Sequence, residues 1–189
     1  MTDFTLSSGN VCLPYRSPWG AFPTRMLGIS TGISSQGIAR GRVVTIDAVD
    51  VAPSTFSGYV KASTGDNAFY IAGISAETVP STAVVGTGIM VYEANPNVEF
   101  KAVTKGNVLS NSMVGRTATL HRDSTLDIAY VDLTGSTASD HRVIVTGLID
   151  QQGDSGGYVT FRFLTALAGN VQGSSGFYNS TTPILAFYR

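Results

Sequence analysis

From residue 41 onward the chain is interrupted too often to sustain helices. Short runs rich in Val, Ile, Thr, Tyr and Phe recur at intervals of roughly ten to fifteen residues, separated by Gly, Asn, Asp and Pro. Arg42–Ala48, Gly58–Ala62, Ala68–Ser75 and Gly88–Ala94 read as strands, with turn signals at Thr64–Asn67 and Asn95–Asn97. Val98–Val103 alternates apolar and polar side chains, the pattern of a half-buried strand. Gly73 inside the third run marks a bulge or a close backbone approach. Further strands are expected near 114–120, 126–132, 142–147, 157–163 and 184–188. Helical signals are confined to single turns at Ser75–Thr78 and Ser110–Val114. The expected fold is all-β: a small sandwich or barrel-like body of the β-tulip type, with very little helix.

Residues 1–40 differ from this body. Pro14, Pro18 and Pro23 fall within ten residues, and Gly20, Gly28, Gly32 and Gly37 follow, so no helical or alternating period survives. The segment nevertheless carries Leu13, Tyr15, Trp19, Phe22, Met26 and Leu27, which a free linker does not need. We read 1–40 as an extended N-terminal arm and 41–189 as the β body, with a further division of the body into 41–85 and 86–189 as an alternative. The arm is basic, holding Arg16, Arg25 and Arg40 against one acid, Asp3. Two readings stand for its apolar groups: they anchor the arm in a neighbouring subunit, or they fold back over the chain's own core.

Composition narrows the function classes. Twelve basic and 13 acidic residues among 189 leave a net charge of −1, which builds no broad electropositive surface for nucleic acid. Charged residues make up 13% of the chain, about half the ordinary share. Ser, Thr and Gly together supply 62 positions, which suits a surface largely covered by other protein. Cys12 is the single cysteine, so neither an internal disulfide nor a multi-cysteine metal site is available. His121 and His141 are too few for a histidine-based metal site. The first residues lack the basic and apolar regions of a secretion signal, and the uncharged stretch 163–188 is too polar to span a bilayer. No cofactor and no membrane partner are expected.

Several short motifs suggest chemistry without completing it. Gly153-Asp-Ser-Gly-Gly157 has the serine-protease nucleophile pattern, with Ser155 in the nucleophile's place. That chemistry needs a histidine base and an orienting acid beside the serine. His121 lies only 34 residues upstream and His141 only 14, and neither sits in the context a two-barrel protease requires. The simpler reading is a Gly-rich hairpin turn. His121-Arg-Asp123 has the order of the kinase catalytic loop, but Ile128 stands where the metal-binding Asn is needed. The glycines at 86–88 and 32–41 do not form a phosphate loop. Asp123, Asp127 and Asp132 lack the Gly and Glu of a calcium loop and read as solvated charges. Asn179-Ser-Thr181 fits a glycosylation sequon and is read as an ordinary loop.

The feature with most weight is the cluster Tyr15, Arg16, Trp19, Phe22, Arg25, Met26 and Leu27. Aromatic residues and Arg dominate the energetics of protein interfaces. These seven are the candidate interface with a partner or neighbouring subunit.

Three stretches carry a resemblance to a known family. They are 42–47 through 71–77, then Val91-Tyr-Glu-Ala-Asn-Pro-Asn-Val-Glu-Phe-Lys-Ala102, then Val143–Leu148 with Gly153-Asp154 and Val159–Phe163. Together they span most of 42–163, and the chain thereby resembles the capsid decoration, or cement, proteins of tailed bacteriophages, especially those of marine and cyanobacterial phages. The resemblance implies a virion structural protein, made in the host cytoplasm and bound to the outer surface of the head. There it would bridge neighbouring copies of the major capsid protein and associate with itself, as a homotrimer or a dimer. It brings no catalytic, cofactor or metal residues, so the chain is expected not to be an enzyme. The alternatives are another phage β protein, of tail tube, connector or fibre, and, more remotely, a serine hydrolase using Ser155.

Overall fold

The computed structural model describes residues 7, 9–29, 37–46, 59–62, 71–123, 125–126, 128–134 and 141–164. Among them regular structure is strand throughout, apart from one 3-10 turn at Asn111–Met113. The all-β expectation holds. The strand expected near 184–188 lies outside the described residues.

The first unit is a closed barrel. β2 (Thr24–Ile29), β3 (Val43–Ile46), β4 (Tyr59–Ala62), β5 (Ile71–Ser75) and β6 (Gly88–Glu93) pair in the order β2-β4-β3-β5-β6, and β6 pairs back onto β2. All contacts are antiparallel except β2 with β4. Leu27, Ile29, Val44, Ala72, Ile89 and Val91 pack together as its core, joined by Ile38 and Val79. Those last two residues form their own bridge outside the named strands.

The second unit is built on β7 (Glu99–Val108), with β8 (Thr117–Asp123), β9 (Ile128–Asp132), β10 (Val143–Leu148), β11 (Ser155–Phe163) and β1 (Leu13–Arg16). Its order is β1-β7-β11-β10-β8-β9, and a short parallel pairing returns β9 to β7. β7 is long enough to serve three partners. One edge pairs with β11 from Phe100 to Val108. The opposite edge is divided between β1, opposite residues 99–101, and β9, opposite Val103 and Thr104. The expected alternation is visible along β7: Phe100 and Ala102 are buried, while Glu99 and Lys101 are half-buried. Phe100, Phe161 and Phe163 meet at the centre with ring centroids 5.1–5.7 Å apart, mixing stacked and edge-on contacts. Such pairs add about 0.5–1.5 kcal/mol each beyond the area they bury.

The two units share a core. Val44 and Ala72 belong to the barrel interior, whereas Val43, Ile71 and Ile74 on the same strands pack with the aromatic centre of the second unit. β5 is therefore buried along all five residues. That explains its unbroken apolar run, because a strand covered on both faces has no solvent side to alternate with. The chain crosses from one sheet to the other at residues 94–98, where Val98 N–H donates to Asn95 O and the Asn95 side chain accepts from Asn97 N.

Residues 13–16 and 24–29 of the expected arm are strands β1 and β2, one in each sheet. The prolines that hid them occupy tolerated positions. Pro14 sits on β1, the outermost strand of its sheet, and Pro23 just precedes β2. Both readings of Gly73 apply: the β3–β5 register shifts beside it, and a Cβ there would collide with the carbonyl of Tyr92.

Candidate interaction surface

Between β1 and β2 the chain makes a tight turn, Ser17-Pro18-Trp19-Gly20. Gly20 N–H donates to Ser17 O at 3.4 Å, and Trp19 N–H donates to Ser17 Oγ at 3.3 Å. Pro18 pre-sets the backbone at the second turn position. Gly20 adopts a positive φ of 71°, which costs a glycine little. Trp19 is thereby held at the tip, 57% exposed.

The remaining candidates lie on the two strands and the connecting residues to either side of it. Tyr15, on the edge strand, is exposed and carries the Arg16 guanidinium over its ring at 5.1 Å. Phe22 is exposed and meets the edge of Tyr92 at 6.2 Å between centroids. Met26 is exposed and lies opposite Met90 of β6. Arg25 Nε is 2.9 Å from Glu93 Oε1. Leu27 differs from the other six, because it is buried in the barrel core and contributes to the chain's own packing. The sequence cluster therefore splits: the first three residues of β2 are exposed and the last three are buried. Tyr92 was not among the sequence candidates. Its only signal was its place in a strand, since its contact with Phe22 depends on the β2–β6 register.

Electrostatically the surface is positive. Glu93 is matched by Arg25, and Glu99 by Arg162 at 3.5 Å. Arg16, paired in register with Glu99, has no ion-pair partner of its own among the described residues.

The other motifs are placed as follows. Gly153 and Asp154 end the connection from β10, and Ser155–Gly157 open β11: Gly153 N–H donates to Leu109 O, Leu109 N–H to Asp154 O, and Tyr158 N–H to Asp150 Oδ2. Ser155 is exposed at the first position of β11. His141 Nδ1 is 2.6 Å from Thr117 Oγ1, and the His121 ring stacks on Tyr130 with Nε2 3.8 Å from Asp132 Oδ2. Asp123 accepts from Lys105 Nζ and from the amides of Thr125 and Leu126. Asp132 accepts from the amide and hydroxyl of Thr134. Gly86–Gly88 leads into β6. Asp127 and Asn179–Thr181 lie outside the described residues. Among the described residues no helix is long and apolar enough to cross a membrane.

Fold and surface together define an all-β protein, a closed five-strand barrel packed against a six-stranded, half-barrel sheet, with an exposed tryptophan on the turn that joins them. The chain matches no protein-family model, no curated protein and no solved structure.

Proposed function

We propose that this chain is a virion structural protein that binds the outer surface of a phage head and cements neighbouring major capsid proteins. The observation that carries the reading is Trp19 at its turn tip, flanked by exposed Tyr15, Phe22 and Met26. Large aromatic side chains held in place before binding lose little entropy when they dock, which is how interface hot spots gain affinity. The sequence resemblance over 42–163 supplies the kind of partner. A low-charge exterior rich in Ser, Thr and Gly suits many modest contacts, and self-association as a homotrimer would multiply them over a lattice.

Cryo-electron microscopy of the particle containing this chain tests the proposal. The expected result is ordered density on the outer shell with the Ser17–Gly20 turn against a coat subunit. Density in a tail ring would favour the tube or connector reading, and absence from every virion would defeat both.

A further inference from the structure

We propose that the Ser17–Gly20 turn docks into an apolar pocket on a protein partner, rimmed by at least one carboxylate that pairs with Arg16. This rests on the head-binding reading and specifies the chemistry of the partner. Tyr15, Trp19, Phe22 and Met26 are each more than a third exposed and fall within the twelve residues that contain this turn, so the surface complementary to them is apolar. Beside them Arg25 pairs with Glu93 and Arg162 with Glu99, and among the described residues Arg16 has no ion-pair partner. Docking the aromatic groups takes water away from that guanidinium. An arginine desolvated without an acceptor is strongly unfavourable, so the partner must supply one, and a carboxylate matches its planar fork with two parallel hydrogen bonds. Stacking on Tyr15 restrains the guanidinium beside the turn in advance. Nucleic acid also accepts arginine and stacks on tryptophan, but one arginine on a chain of net charge −1 gives little hold on a phosphate backbone.

Trp19 is the chain's single tryptophan, so its fluorescence reports this turn alone. The wild-type chain, Arg16→Gln, Arg16→Lys and, as a control, Arg116→Gln, exposed just ahead of β8, would be titrated onto purified heads lacking the protein, at low and at ~300 mM salt. A blue shift of Trp19 emission on binding, a loss of about tenfold or more in affinity for Arg16→Gln with a weaker salt dependence, and partial recovery in Arg16→Lys would support the inference. Binding without any shift at Trp19, or equal losses in Arg16→Gln and Arg116→Gln, overturns it and leaves the head-binding reading intact. No binding to heads at low salt removes both. A 20-nucleotide single strand that shifts the emission at ~150 mM salt would make the partner a nucleic acid and overturn the pocket assignment.

Discussion

Lys105 Nζ lies 2.6 Å from Asp123 Oδ2, and this contact ties β7 to β8 beside the short β7–β9 ladder of the second unit. β9 returns to β7 through only two residue pairs, Val103 with Tyr130 and Thr104 with Val131. Lys105, on β7, passes over the Tyr130 ring at 5.5 Å and reaches Asp123 at the end of β8. Asp123 is buried, and its other oxygen accepts the amides of Thr125 and Leu126, so one carboxylate both ties β7 to β8 and holds the β8–β9 turn.

This arrangement fixes a pH dependence. The hydrogen bond from Lys105, and then that from the Leu126 amide, hold the Asp123 carboxyl below its ordinary range, against the opposing effect of burial. Its contribution to stability is therefore complete above the unfolded pKa of about 4 and is lost as pH falls through the depressed folded value. Lys105 is raised, chiefly by its bond to Asp123, so its contribution persists to alkaline pH and is lost as pH rises through that raised value, above about 10.4. Asp123→Ala should cost about 2 kcal/mol at neutral pH, because two turn amides and one ammonium lose their acceptor. Asp123→Asn should cost less and should flatten the acid limb of stability against pH. Urea melts between acid and neutral pH read both effects, and an unchanged acid limb in Asp123→Asn would show that another carboxylate governs it.

Gly73 tests the packing of β5 between its neighbours. A methyl group there meets the backbone carbonyl of Tyr92 and the side chain of Val91, and backbone cannot swing aside as a flexible side chain can. Gly73→Ala should destabilise by ~3 kcal/mol or more. Gly20→Ala meets open space but keeps the positive φ, so its cost should be nearer 1 kcal/mol. Thermal melts of the two variants should differ widely, and equal melting temperatures would mean that β5 and β6 are not packed as described.

Truncation separates scaffold from surface. Removing residues 1–40 deletes β1 and β2, and with β2 goes the strand that closes the barrel between β4 and β6. The truncated chain should lose cooperative unfolding. Trp19→Ala, at an exposed turn tip, should leave stability within about 0.5 kcal/mol and weaken partner binding by on the order of 2 kcal/mol or more. A truncated chain that still melts cooperatively would return residues 1–40 to the status of a detachable arm.

Cys12 reports on unfolding. It is fully buried, and burial pushes its thiol well above its ordinary pKa. An aromatic disulfide reagent should react with it only as fast as the native structure opens, since the thiolate is the reactive form. Rapid modification in native buffer would show that the core around residue 12 opens locally.

The sequence by itself determined the all-β class and most strand positions, and it marked Gly73 as special while leaving a bulge and a close approach both open. These depend on side-chain alternation, β-branching and turn chemistry within five to ten residues. The 3-10 turn at Asn111–Met113 and the hairpin around Gly153–Gly157 were legible for the same reason. At the candidate surface the sequence supplied the aromatic and basic groups but not their directions. The register of β2 against β6 turns Met26 out and Leu27 in, one residue apart. Tertiary structure alone decided that β1 and β2 belong to different sheets, that β9 closes onto β7, and that β3 and β5 are covered on both faces. Each of these joins residues far apart along the chain, such as Thr24 with Tyr92, or Leu13 with Lys101. Such pairings are selected by how much apolar surface the whole chain can bury at once, after the entropy of closing the intervening loop, and no local stretch of residues carries that information.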